Sequence, residues 1–229
     1  MSAPYLLHIE TATTNCSVAV SRGKELLYCK ESNSPDFRHS DYLHLFIEEA
    51  LSNVQINIKA LDGVGVSMGP GSYTGLRIGV SSAKGICYAN DIPLMAINSL
   101  TVMAQQCQLN EAAVLLPMID ARRMEVFTMP LDQNHTPLDE TKALIISTET
   151  IDELPQGKKV IFGSGAEKCK ALFKGEDFQF RDDIITPSAK DMVPLIAKKY
   201  AQKKFEDIAY FEPYYLKDFY TSPKNPRKA

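Results

Sequence analysis

Two carboxylates close apolar runs in this chain: Glu10 ends YLLHIE and Asp120 ends VLLPMID. A strand-end acid followed by a tight turn can hold hydrated magnesium while the backbone N–H groups of the turn meet the phosphates of a nucleotide. That chemistry favours glycine after the acid, because a Cβ keeps the backbone away from phosphate oxygens. Glu10 is instead followed by Thr11, Ala12, Thr13 and Thr14, and Asp120 by Ala121, Arg122, Arg123 and Met124. Two readings follow. The acids are satisfied by local N–H groups, or they line a degenerate nucleotide cleft in which Arg122 and Arg123 attract an anion by charge. The turn FGSGA at 162–166, with Gly163 and Gly165, offers the glycine element that such a cleft needs beneath a nucleoside.

Five glycines punctuate GPGSYTGLRIGVSSAKG, residues 69–85. A phosphate loop reads GxxxxGK[ST], but Gly75 is followed by Leu76 and Arg77; a dinucleotide turn reads GxGxxG, and Gly69, Gly71 and Gly75 are spaced one residue too widely. Within a helix, Gly75, Gly79, Ser82 and Ala83 fall on one stripe beside Ile78 and Ile86. An interior helical glycine costs ~1 kcal/mol against alanine, so the stripe predicts the close approach of another backbone. That backbone is either the sheet of the same domain or a helix of another chain. His39 and His44 lie about 140° apart around a helix and cannot share a metal. The five cysteines are scattered without a CxxC pair, which fits a reducing compartment and neither a disulfide framework nor a zinc site. No nucleophile and base for a peptidase stand out, and neither metal nor cofactor is expected.

The elements that must position these residues are legible as periodicity. Residues 5–10, 16–22 and 25–30 read as a strand meander. Ser34 and Pro35 then read as the start of an amphipathic helix carrying Leu43, Phe46, Ile47, Ala50 and Leu51 on one face. A strand at 64–68, the glycine-rich helix, a strand at 93–97 and a helix opened by Asn98 or Ser99 complete a β-β-β-α-β-α-β-α order, implying a mixed sheet covered by helices. LLPMIDAR restarts the pattern of LLHIETAT, which suggests an internal duplication. Ser188 and Asp191 form a capping-box pattern for a last helix through Tyr200. We expect an N-terminal lobe at 1–108, a C-terminal lobe at 109–215 and a disordered basic tail at 216–229. The formal net charge of −3 argues against this chain holding nucleic acid alone. The first twenty residues carry neither a signal peptide nor a membrane span, so a cytoplasmic location is expected.

The runs IETATTNCSVAV, RHSDYL, LDGVGVSMGPGSYTGLRIGVSSAKG, PLMAINSL and MIDARRMEVF together resemble, in order and spacing, the TsaB (YeaZ) family of bacteria. The resemblance is close over residues 6–130 and looser beyond Pro130. It implies an α/β protein with the two-lobed actin-like ATPase (ribonuclease H-like) fold and a degenerate nucleotide site, as in actin, sugar kinases and heat-shock ATPases but without their glycines. It also implies a non-catalytic subunit for TsaD, which transfers a threonylcarbamoyl group to the adenosine beside the tRNA anticodon, with the ATPase TsaE as a third member. By this resemblance His39, Ser40 and Leu43 on one helix, and Gly75, Ile78, Gly79, Ser82, Ala83 and Ile86 on the other, face the partner or a second copy of the chain. tRNA is reached only through the complex. The metal-binding HxxxH of TsaD corresponds here to Ser99 and Met103, which cannot replace histidines. The alternative is an active actin-like ATPase or small-molecule kinase using Glu10 or Asp120.

Overall fold

The computed structural model describes residues 3–33, 39–109 and 111–217. Two five-stranded mixed sheets repeat one plan. In the first, β1 (Tyr5–Glu10), β2 (Asn15–Arg22) and β3 (Glu25–Asn33) form an antiparallel meander, and β4 (Gly63–Gly69) and β5 (Leu94–Asn98) add in parallel, giving the order β3-β2-β1-β4-β5. In the second, β6 (Val114–Asp120), β7 (Glu125–Thr128) and β8 (Lys142–Ile145) are antiparallel, and β9 (Lys159–Phe162) and β10 (Phe178–Arg181) add in parallel beside β6. The resulting order β10-β9-β6-β7-β8 is the first sheet's plan repeated, so Glu10 and Asp120 end equivalent strands.

The alternation of β1 sends Leu7 and Ile9 to one face and Leu6 to the other. The first face is covered by α1 (His39–Asn53), which buries Leu43, Phe46, Ile47, Ala50 and Leu51, and by α2 (Tyr73–Asn90). Ser34 and Pro35, the expected helix start, lie outside the described residues. Ser72 caps α2 by accepting from Gly75 N at 3.3 Å, and Asp91 ends it in the left-handed region at φ 52°. Asn98 caps the short α3 (Ser99–Ala104), accepting from Leu100 N at 2.8 Å. In the second half the helical cover is slight: α4 spans Thr148–Asp152, and FGSGA leads only into a 3-10 turn, Glu167–Cys169.

The last helix departs from expectation in two ways. Ser188 does not cap it; its hydroxyl donates to Glu31 Oε2 at 2.6 Å, a 3-10 turn follows at Ala189–Met192, and α5 begins only at Val193, running to Ala201. The sequence placed this helix with the second lobe, but its contacts are with the first. Met192 and Ile196 pack on Leu6, Ala19 and Met95, and Gly65 lets α5 come close, since a Cβ there would lie 2.5 Å from Ile196 Cγ1. The chain then pairs Glu206 with Leu94, bonds Tyr214 N to Met68 O at 2.7 Å and ends its described course with Leu216 packed in the second lobe. Residues 218–229, the rest of the expected tail, lie outside the described residues. No described helix is long and apolar enough to cross a membrane.

Candidate functional site

Glu10 is fully buried at the end of β1. Its Oε1 accepts from Ala12 N at 2.6 Å, so an N–H that would greet a phosphate is already engaged by the acid. The rest of the turn is taken up by the chain itself. Thr11 Oγ1 donates to Gly75 O at 2.8 Å, Ser72 N donates to Ala12 O at 2.6 Å, and His39 Nε2 donates to Thr13 O at 2.8 Å. A Cβ on Gly71 would fall within 3.0 Å of Ala12 O, one on Gly75 within 3.0 Å of Thr11 O, and one on Gly79 within 3.0 Å of Thr11 Oγ1. The glycines therefore let α2 settle onto residues 11–13 of the same chain.

This corrects part of the partner face inferred from the resemblance. His39, Leu43, Gly75, Gly79 and Ala83 are buried inside the first lobe, so a partner cannot reach them without unpacking it. Ser40 is exposed, and Ile78, Ser82 and Ile86 are partly so. His44 on α1 and Ser82 Oγ on α2 meet at 3.4 Å, joining the outer edges of the two helices. Sequence reasoning missed Leu45, which is 59% exposed on α1. Its signal was available: an apolar residue standing off the 43-46-47-50-51 stripe.

Also missed was Asp191, for which the sequence offered only a capping pattern. It is carried to the first sheet by the 3-10 turn before α5. Burial pushes the Glu10 carboxyl up to about 7, with Asp191 adding to the rise, and burial likewise pushes Asp191 up to about 6. Glu10 Oε2 and Asp191 Oδ2 are both buried without a hydrogen-bond partner among the described residues. Ser67 and Ser99 sit nearby, with their hydroxyls bonded to each other at 2.6 Å. Burial thus favours the neutral form of Glu10 up to about pH 7, whereas Asp191 gives up its proton nearer pH 6.

Asp120 has a different setting. It is half exposed, its Oδ1 accepts from Arg122 N at 2.8 Å, and it pairs with Lys168. Lys168 Nζ also donates to Arg123 O at 2.9 Å and to Glu125 O at 2.6 Å, fixing the lysine in the position beside the acid. Gly163 and Gly165 do lie beside this strand end, but packing explains them. Gly163, at φ 104°, sits against Met118 O, and a Cβ on Gly165 would be 2.7 Å from Val126 Cγ1. Ser164 Oγ accepts from Asp120 N at 3.1 Å. The structure thus gathers Asp120, Arg122, Gly163 and Gly165 at one site and Glu10 with the α2 glycines at another. No hydrogen bond or ion pair joins the two among the described residues, and no described trio of His, Cys, Asp or Glu is placed to hold a metal. A groove of about 630 Å³ lies elsewhere, between Lys84 and Tyr88 of α2 and residues 206–209.

Two sheets of one strand order, each with an acid at the end of its first strand, define a two-lobed actin-like protein. The family profile described as "TsaD: tRNA N6-adenosine threonylcarbamoyltransferase" matches residues 36–223. The Escherichia coli K12 protein named "tRNA threonylcarbamoyladenosine biosynthesis protein TsaB" is 28% identical over 97% of this chain and 99% of its own length. Its namesake from Haemophilus influenzae is 29% identical over 96% and 97%. The solved structure of YeaZ from Pseudomonas aeruginosa superposes with a TM-score of 0.79 at 22% identity, covering 93% of this chain and 100% of that one. The chain belongs to the TsaB (YeaZ) family, which is related to TsaD.

Proposed function

We propose that this chain is a non-catalytic subunit of tRNA threonylcarbamoyladenosine biosynthesis, the process for which its relatives are named. In this reading it binds a TsaD-type enzyme, joined by a TsaE-type ATPase, and supports transfer of the threonylcarbamoyl group to the adenosine beside the tRNA anticodon in the cytoplasm. The first lobe, at 1–108, is the partner-binding part, and the solvent side of α1 and α2 around Ser40, His44, Leu45, Ile78, Ser82 and Ile86 is the surface. Alone, the chain uses the same surface to form a homodimer.

The observation that carries this reading is the closure of residues 11–13 by α2. Hydrogen bonds from Ser72 N, from Thr11 Oγ1 to Gly75 O and from Ala12 N to Glu10 consume the turn that an ATPase of this fold offers to phosphates. What remains on the first lobe is an exposed helix pair with an apolar residue, Leu45, outside the core stripe. In calorimetric titrations with the TsaD-type subunit of the same organism, Leu45→Glu and Ser82→Trp are each expected to weaken binding about fivefold to a hundredfold, since charge or bulk in a packed helix interface costs ~1 to 3 kcal/mol. Wild-type affinity in both variants would sink the assignment of this face.

A further inference from the structure

The turn between β6 and β7 holds Arg122 at φ 68° and Arg123 at φ 50°. Both lie in the left-handed region, where a hairpin is served best by Asn-Gly or Gly-Gly. Arginine at both positions spends folding free energy, and such outliers are kept where their side chains have a use. Both side chains are exposed, and among the described residues neither guanidinium has an ion-pair partner. The neighbouring acids are taken: Asp120 pairs with Lys168, and Glu125 pairs with Lys217. The turn therefore presents two uncompensated guanidiniums in a chain whose formal net charge is −3.

We infer that the Arg122–Arg123 turn contacts the backbone phosphates of RNA held by the assembled complex. This rests on the proposed function, and it adds a contact at the second lobe, away from α1 and α2. Planar guanidinium forks match phosphate oxygens in pairs, and a projecting hairpin tip can follow a phosphate backbone without reading bases. Two such contacts are too few to hold RNA alone, in keeping with the acidic chain, but they steepen the salt dependence of binding by a partner.

The test uses the Arg122→Gly, Arg123→Gly double variant. Glycine is at ease at both φ values, so the fold is expected to survive and any loss is a loss of side chains. Wild-type and variant chains are assembled with the TsaD-type subunit, checked by gel filtration and titrated with transcribed tRNA by fluorescence anisotropy at several salt concentrations. Assembly is expected to be unchanged, tRNA affinity to fall about tenfold, and the slope of log affinity against log salt to become shallower by about 2. Unchanged affinity and slope overturn the inference. So does weakened assembly with unchanged tRNA affinity, which would give the turn to an acidic surface of the partner. Failure of the wild-type chain to assemble would be seen before RNA is added and would overturn the proposed function together with this contact.

Discussion

Alanine at Gly75 is expected to destabilise the chain by about 2 to 3 kcal/mol, whereas alanine at Gly85, two turns and more along the same helix, is expected to stabilise it by ~1 kcal/mol. Helix propensity alone favours alanine equally at both sites. The difference is what each Cβ meets. At Gly75 it would press into the carbonyl oxygen of Thr11, a backbone atom at the end of β1 that cannot move without dragging the sheet; at Gly85 nothing lies within 4 Å. Gly79→Ala should fall between, because the atom in its way is the Thr11 hydroxyl, which can rotate but would give up its bond to Gly75 O. Urea unfolding of the three variants, followed by circular dichroism, checks the order. A Gly75→Ala protein as stable as Gly85→Ala would mean that α2 does not rest on residues 11–13, and the closed turn would be lost with it.

The second large effect is on pH dependence. Glu10 has its folded-state carboxyl raised from 4.5 to about 7 by burial, with Asp191 contributing. A raised carboxyl means that the folded protein holds a proton the unfolded chain releases. Stability is then full below the unfolded value, declines as pH climbs from 4.5 towards 7, and levels off above. At about 1.4 kcal/mol per pH unit, the decline from this group is roughly 3 kcal/mol. Glu10→Gln keeps the shape and the acceptor for Ala12 N but cannot ionise. It should match wild type within about 1 kcal/mol near pH 5 and exceed it by roughly 3 kcal/mol near pH 8. A difference between the two proteins that stays constant over that range would show that Glu10 is not held protonated, and would reopen it as a charged ligand.

The contrast between the two acids shows where sequence reading stops. That Glu10 and Asp120 end equivalent strands was visible in LLHIETAT and LLPMIDAR, because alternation and a repeated order need only local pattern. Their fates depend on residues far along the chain: Asp191 for one, Lys168 for the other. The α2 stripe poses the same limit. Small residues at i, i+4 and i+8 announce that something comes close, but a sheet and a partner helix demand the same spacing. Only the register that sets Thr11 beneath Gly75 and Gly79 decides for the sheet. Ser188 looked like a helix cap because Asp191 follows three residues later; Glu31, 157 residues away in sequence, captures its hydroxyl instead. The α1 stripe, by contrast, was fully legible, and it is the departure from that stripe at Leu45 that now marks the outer face.

On the proposed function, this chain binds a TsaD-type subunit and carries out no chemistry of its own. Light scattering coupled to gel filtration, on the chain alone and mixed with the TsaD-type subunit of the same organism, tests it most directly. A new peak at the mass of a mixed complex is expected, with any homodimer peak lost as the partner takes over the same surface. Two unchanged peaks at concentrations well above micromolar would contradict it, and attention would return to Glu10 and Asp120 as residues with a chemistry of their own.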